Sequence, residues 1–278
     1  MQFVPLEGLN NPVAVVAFSG WNDAGDAASD LVRHLHATYL GNDLGVIDDE
    51  RYFDFQHTRP MLNRTADGPW LEWPAVRLRV VHHPVRDIVT VLGPEPNLLW
   101  RSFARDLVDR MSKVNPELVV FLGGMLSDTP HSRPLPVGVF SSDPTIRQRF
   151  SMEVNDYSGP TGMTGVASQM MTLERIPTAS LWVSVPHYVS TPPNPKAQDA
   201  LLTELENLMG VELDHAEIPA EAVKWSEAVD ELSQQDPEIA EYIGQLEEAR
   251  DAEEVEGATG DTIAAELEKF LRRRVDDD

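Results

Sequence analysis

Apolar residues along this 278-residue chain fall into two patterns: short unbroken runs, and stretches that repeat every three or four positions. Residues 13–18 (VAVVAF) form an unbroken run, as a strand buried on both faces requires. In the following GWNDAGDAAS, Asp23 is placed to cap a helix reaching about Tyr39. Asp26 falls in its first turn, where the helix dipole favours an anion. Leu31, Leu35 and Tyr39 share one face of that helix. Residues 41–45 read as a turn. Residues 46–92 are strand-rich (GVIDD, RYFDF, EWPAVRLRVVHH, DIVTVLG). Asp67-Gly68-Pro69 marks a turn there, predicting a β-hairpin inserted at about residues 50–84.

The spacing predicts a helix over 97–114, with Leu99, Phe103, Leu107 and Val108 on one side. Residues 118–122 read as a buried strand ending at Gly123-Gly124, followed by the loop MLSDTPHSRPLP and a strand at 137–140. GPTGMTG (159–165) opens a helix through Leu173, and 179–185 is a further strand. Asn194 as cap, Pro195 at the first position and Gly210 past the end bracket another helix. Strands alternating with helices predict an α/β fold with a mostly parallel sheet. From about Ile218 the pattern becomes helical: Trp225, Val229 and Leu232, then Ile239, Tyr242, Ile243 and Leu246, then Ile263, Leu267, Phe270 and Leu271. These mark three short amphipathic helices with acidic outer faces, and residues 248–261 read as a linker. The expected division is an α/β core over 1–215 and an acidic helical appendage over 216–278.

Charge and composition narrow the chemistry. The chain carries 46 Asp and Glu against 22 Lys and Arg, a net charge of −24. Residues 212–278 hold 22 of the acidic and only 6 of the basic side chains. Such a chain repels phosphate backbones, so nucleic acid is not an expected partner. The one basic cluster, Arg272 to Arg274, is followed at once by three Asp. Absence of cysteine removes disulfides, thiolate nucleophiles and sulfur-ligated zinc. No apolar run approaches the ~20 residues of a membrane span, and MQFVPLEGLNN lacks the features of a secretory signal, so a cytoplasmic protein is expected. The eight histidines show no metal-ligand spacing. His82 and His83 point to opposite faces of a strand, and His34 and His36 do not share a helix face. Only Asp128, His131 and His187 could converge from two loops, and neither metal nor cofactor is expected.

Open α/β sheets bind ligands beyond the carboxyl ends of their strands. The loops expected there are rich in Gly and Pro: Ser19-Gly20-Trp21-Asn22-Asp23, Gly93-Pro94-Glu95-Pro96, Gly123-Gly124 and Pro186-His187-Tyr188. They read as stiff walls around a cleft whose candidate residues are Trp21, Asn22, Asp23, Gly93, Glu95, Gly123, Gly124, Gly162 and His187. Asp23 is either a helix cap or a pocket carboxylate. Glu95 supplies a second carboxylate, and the pair could do acid–base work only if their environments separate their pKa values. Gly162 lies where an anion could meet helix amides, but the loop lacks Lys and phosphate-loop spacing. Tight helix–sheet packing is the expected role of GPTGMTG. There is no G-x-S-x-G elbow, and Ser19 has no identifiable base.

Taken in order, GWNDAGDAA, LGPEP, VVFLGG, GPTGMTG and SLWVSVPHY resemble the proteasome assembly chaperone family of the second-subunit type, in its actinobacterial branch with a C-terminal helical extension. The resemblance runs from about Val13 to Gly210. It implies a three-layer α/β/α core of phosphorylase/hydrolase-like type, shared with purine nucleoside phosphorylases and peptidyl-tRNA hydrolases. It further implies a homotrimer formed through the hairpin insertion, and C-terminal helices lying as a lid over a ligand cleft. Eukaryotic members assist proteasome α-ring assembly without catalysis, which makes proteasome subunits a partner by analogy. Family tails that dock on proteasomes end in a hydrophobic residue, Tyr and one more. This chain ends Val275-Asp276-Asp277-Asp278, so tail docking is not expected.

Two functions remain open on these grounds. One is a non-catalytic, self-associating scaffold or chaperone-like protein with a small-ligand cleft. The other is a hydrolase or phosphorylase-like enzyme acting on a small polar metabolite.

Overall fold

The computed structural model describes residues 8–257 apart from 67, 151 and 153–156. In chain order its elements are β1 (Val13–Ser19), α1 (Ala27–Thr38), β2 (Gly41–Ile47), β3 (Met61–Thr65), β4 (Gly68–Glu72), β5 (Val76–His82), β6 (Asp87–Pro94) and α2 (Trp100–Val114). There follow β7 (Val119–Ser127), β8 (Val137–Phe140), α3 (Pro144–Phe150), α4 (Met163–Leu173), β9 (Thr178–Pro186), α5 (Pro195–Met209), α6 (Ile218–Ser233) and α7 (Pro237–Gly257). Seven strands form one sheet in the order β2-β5-β6-β1-β7-β9-β8. The middle four run parallel. Antiparallel strands finish both edges, β5 and β2 on one side and β8 on the other.

The unbroken apolar run of β1 is explained by its place between β6 and β7. Val13, Val15 and Ala17 pack on one face with Leu31 and Leu35 of α1 and Leu201 and Leu205 of α5. Ala14, Val16 and Phe18 pack on the other with Phe103 and Leu107 of α2 and Met163 and Met171 of α4. Side chains alternate along a strand, so one strand feeds both cores and the result is a three-layer α/β/α sandwich. Phe103 meets both Phe18 and Tyr52 edge-on, and truncating such a ring to Ala costs about 3–5 kcal/mol.

Several boundaries differ from expectation. Residues 41–45 are the start of β2 rather than a turn, and a bulge between Asp43 and Gly45 absorbs the turn-like composition. RYFDF is not a strand. The Asp49 carboxylate accepts from the Arg51 amide and caps a short 3-10 turn, Glu50–Tyr52, which delivers Tyr52 and Phe53 to the core. Leu99 adopts left-handed backbone (φ 53°), so α2 starts at Trp100 and Leu99 stays exposed. β7 does not end at Gly123-Gly124 but stays paired with β9 as far as Ser127. The inserted hairpin is β3 and β4, which among the described residues pair only with each other.

α6 packs along α5 and buries Val229, while Leu232 points outward. The stretch expected to be a linker is helical through Gly257, because Glu, Ala and Arg are strong helix formers. Arg133 from the β7–β8 loop also ties Glu247 and Asp251 of α7. The expected third helix around Ile263 to Leu271, the Arg272–Arg274 cluster, the tail Val275 to Asp278 and residues 1–7 lie outside the described residues. No helix among the described residues is long and apolar enough to cross a membrane.

The α5–α6 corner is held by His215. Its Nδ1 lies 2.8 Å from Asp199 Oδ1 and its Nε2 3.0 Å from Glu206 Oε2. Burial pulls the imidazole pKa down, but the two carboxylates outweigh it and the net shift is upward. A raised folded pKa means that the stabilisation is complete below about pH 6.5 and fades as pH rises through the folded value. His215→Gln should therefore lower the melting temperature more at pH 6 than at pH 9, by the equivalent of about 1 kcal/mol at the lower pH. Thermal denaturation of both proteins at the two pH values tests this; an equal loss at both would show that the imidazolium contributes nothing.

Candidate functional site

The face carrying α2 and α4 is covered unevenly. α4 rests on β1, β7 and β9, and no other described helix follows it toward the β8 edge. A cleft of about 1040 Å³ lies there, at the carboxyl end of the central strands. Its floor depends on two glycines. Trp182 on β9 stands in register with Gly123 on β7 and Gly138 on β8. A Cβ on Gly123 would lie 2.6 Å from the Trp182 indole, and one on Gly138 would lie 2.5 Å from the Phe140 ring. The missing methyls let both rings lie low on the sheet.

The β1–α1 loop makes one wall. The Gly124 amide donates to the Asn22 carbonyl at 2.8 Å, and Asp23 forms a parallel bridge to Gly124. A side chain at Gly124 would press on the Ala24 carbonyl, 2.9 Å away. Asp23 is 3% exposed, and its carboxylate accepts from the amides of Ala28 (2.8 Å) and Ser29 (3.3 Å). Burial pushes its pKa above the ordinary carboxylate value, against the opposing pull of the bonds from Ser29 and Ala28. It thus caps α1 from three residues upstream of the formal cap position. That position belongs to Asp26, which has left-handed backbone (φ 54°). The carboxylate of Asp26 is not needed for capping, and Asp26 lines the cleft.

Glu95 has a similar duty. Its Oε1 accepts from the Met163 amide at the start of α4 (2.6 Å) and from Asn22 Nδ2 (3.3 Å). One carboxylate therefore ties the β6–α2 loop, the β1–α1 loop and α4 together. Gly162 allows this, because its Cβ would collide with the Asn22 amide at 1.9 Å. The helix N-terminus that could have met an anion is already occupied by a side chain of the protein.

Of the nine residues singled out in the sequence, Trp21, Asn22, Asp23 and Gly124 line the cleft. Glu95 and Gly162 stand behind its wall, and Gly123 lies against Trp182. Gly93 packs in the sheet against Ala75 and Val76. His187 belongs to a separate cluster, with Nδ1 3.2 Å from Asp128 Oδ1 and its ring edge-on to Tyr188 and Tyr242. His131 turns away from that pair. Its Nδ1 meets the Tyr188 hydroxyl at 2.8 Å and its Nε2 meets Asp230 of α6 at 3.0 Å. Burial lowers the His131 pKa, opposed by Asp230. This cluster clasps α6 and α7 to the loops beside the cleft, and neither helix contributes to the lining. Among the described residues no group of His, Asp and Glu could hold a metal ion. Trp182, Phe140, Asp26 and Ser180 also line the cleft, yet were not singled out.

The comparisons agree with this architecture. Residues 17–233 match the model of the PAC2 family. The chain belongs to the PAC2 family. A PAC2 family protein from Streptomyces avermitilis is similar at 44% identity and a TM-score of 0.78, covering 83% of this chain and 99% of that one. A Mycobacterium tuberculosis protein described as a proteasome-assembly chaperone homologue is 42% identical, with a TM-score of 0.76 and the same coverage. An archaeal homologue of proteasome-assembly chaperone, PbaA from Pyrococcus furiosus, shares the fold at 18% identity and a TM-score of 0.59, covering 87% of this chain and 96% of that one. No curated protein matches this PAC2 chain.

If Asp23 is a cap, Asp23→Ala should destabilise the protein by about 1–2 kcal/mol in urea unfolding. Asp23→Asn, which keeps an acceptor oxygen, should cost less. Unchanged stability in the Ala variant would remove the structural role and return Asp23 to the list of reactive groups.

Proposed function

We propose that this PAC2 protein is a non-catalytic, self-associating scaffold of assembly-chaperone type, cytoplasmic, with a small-ligand cleft at the carboxyl end of its sheet. The observation that carries this reading is the β3–β4 ribbon. Among the described residues it pairs with no other strand, and a lone hairpin is marginal in water. Yet it leaves Met61, Leu62, Trp70 and Leu71 exposed, with Trp73 just beyond it. A ribbon that projects so much apolar surface is stable when a second surface covers it. A homotrimer through this insertion meets that requirement.

The chaperone-like role rests on likeness to the Mycobacterium tuberculosis relative and makes proteasome subunits the partner class. The non-catalytic reading is supported by the use of Asp23 and Glu95, the two candidate acid–base groups, to bind backbone amides. The core over 1–215 and the acidic helices beyond it act as separate parts. The clasp around His131 holds α6 and α7 as a lid on the neighbouring loops.

Leu62 and Leu71 are opposite each other across the ribbon, and both are exposed. Light scattering on the full chain should give a mass that is a multiple of 31.0 kDa. The double variant Leu62→Asp/Leu71→Asp should fall to the single-chain mass with its far-ultraviolet circular dichroism unchanged. A wild-type protein of 31.0 kDa in solution would end the self-association reading.

A further inference from the structure

The geometry points to a small organic cation, an amine carried on a flat ring, as the ligand of the cleft between α4 and the β9–β8 edge. This rests on the cleft being a ligand site, as proposed above, and adds the chemical class. Three observations converge. First, the cleft is aromatic. Trp182 and Phe140 lie low on its floor, while Trp21 and Tyr157 stand at its mouth, 68% and 65% exposed. The exposed indole at the rim presents an open face to the cleft, and the face of an indole attracts cations more strongly than any other side-chain ring.

Second, the charge in the cleft is of one sign. Asp23 and Asp26 are its ionisable carboxylates, and no Lys, Arg or His lines it among the described residues. Asp23 is committed to the amides of α1, but Asp26 has no cation beside it within the described chain. An anionic ligand would find no countercharge there, whereas an ammonium would find a carboxylate and ring faces together. The net charge of −24 adds a long-range field of the same sense. Third, the remaining lining is fit for hydrogen bonding. Ser180 and Gln169 line the cleft, and the buried Thr164 hydroxyl, on the same lining, has no partner.

Three probes with one ring and different charge test this by titration calorimetry on the full chain: tryptamine, tryptophol and indole-3-propionate. Tryptamine should bind at one site per chain, about tenfold more tightly than tryptophol, with indole-3-propionate weakest. Asp26→Asn should reduce the advantage of tryptamine several-fold and leave tryptophol binding unchanged. Asn tolerates the left-handed backbone at this position, so the variant should fold. Trp21→Ala, an exposed substitution, should weaken both tryptamine and tryptophol, and tryptamine the more, because only the ammonium gains from the indole face. Equal or tighter binding of tryptophol or indole-3-propionate would overturn the cation assignment while leaving a ligand cleft. Binding of none of the three, or of tryptamine at many sites insensitive to Asp26→Asn, would remove both. The mass measurement on the hairpin is unaffected by either result.

Discussion

Parallel strands dictate where this molecule must spend its carboxylates. α1 follows the carboxyl end of β1, and α4 leads back to the start of the parallel β9, so both helices bring their N-termini to the same edge of the sheet as the β1, β6 and β7 loops. Each N-terminus presents amides without intrahelical partners, and leaving them buried and unpaired would cost roughly 1–3 kcal/mol apiece. Asp23 supplies acceptors for α1 and Glu95 for α4. The second bond is the more consequential, because it crosses between loops. Through Asn22 it locks the β1–α1 wall to α4, and through the Gly124 amide that wall is locked to β7. The rim of the cleft is therefore fixed by carboxylate hydrogen bonds from Asp23 and Glu95 together with the neutral backbone bond from Gly124 to Asn22.

That economy explains which parts of the site were legible in the sequence. The rim was, because strand ends, Gly and Pro announce themselves locally: Trp21, Asn22, Asp23 and Gly124 follow directly from the two apolar runs. The floor was not. Trp182 matters because Gly123 and Gly138 flank it, and that depends on β9 inserting between β7 and β8, which no local pattern reveals. Gly93 lies outside the lining for a related reason: it sits at a strand end but faces the close approach of Ala75 and Val76 at the start of the antiparallel neighbour. His187 follows a strand that is one place nearer the edge, where the loop turns toward α7 instead of the cleft.

The fold itself was read well where propensity and burial agree and less well where they conflict. β1, β6, β7 and β9 are apolar and buried, so period and position coincide. RYFDF has the composition of a strand, but the Asp49 cap on the Arg51 amide favours a 3-10 turn, and burying Tyr52 and Phe53 outweighs any gain from pairing. α7 shows the opposite conflict. Its acidic, Ala-rich second half looks like solvated linker, but high intrinsic helicity and the paired Arg133 keep it helical.

The two features to which a function is proposed stand at opposite ends of the sheet order. The hairpin is inserted between β2 and β5, at one edge, whereas the cleft opens over β9 and β8 at the other. β5 and β9 are separated by β6, β1 and β7, which at the usual strand spacing is about 19 Å. A partner seated on the ribbon therefore need not cover the floor formed by Trp182 and Phe140. The clasp of His131, Tyr188 and Asp230 lies on the loops after β7 and β9, against α6, which packs along α5. The cleft also reaches α6 through α5, because Ser190 and Pro192 line it, the Asn194 amide donates to the Gly25 carbonyl, and α5 packs along α6. The proposed assembly surface and the cleft are thus held at a distance by the central strands. Such a layout permits coupling between them but does not require it.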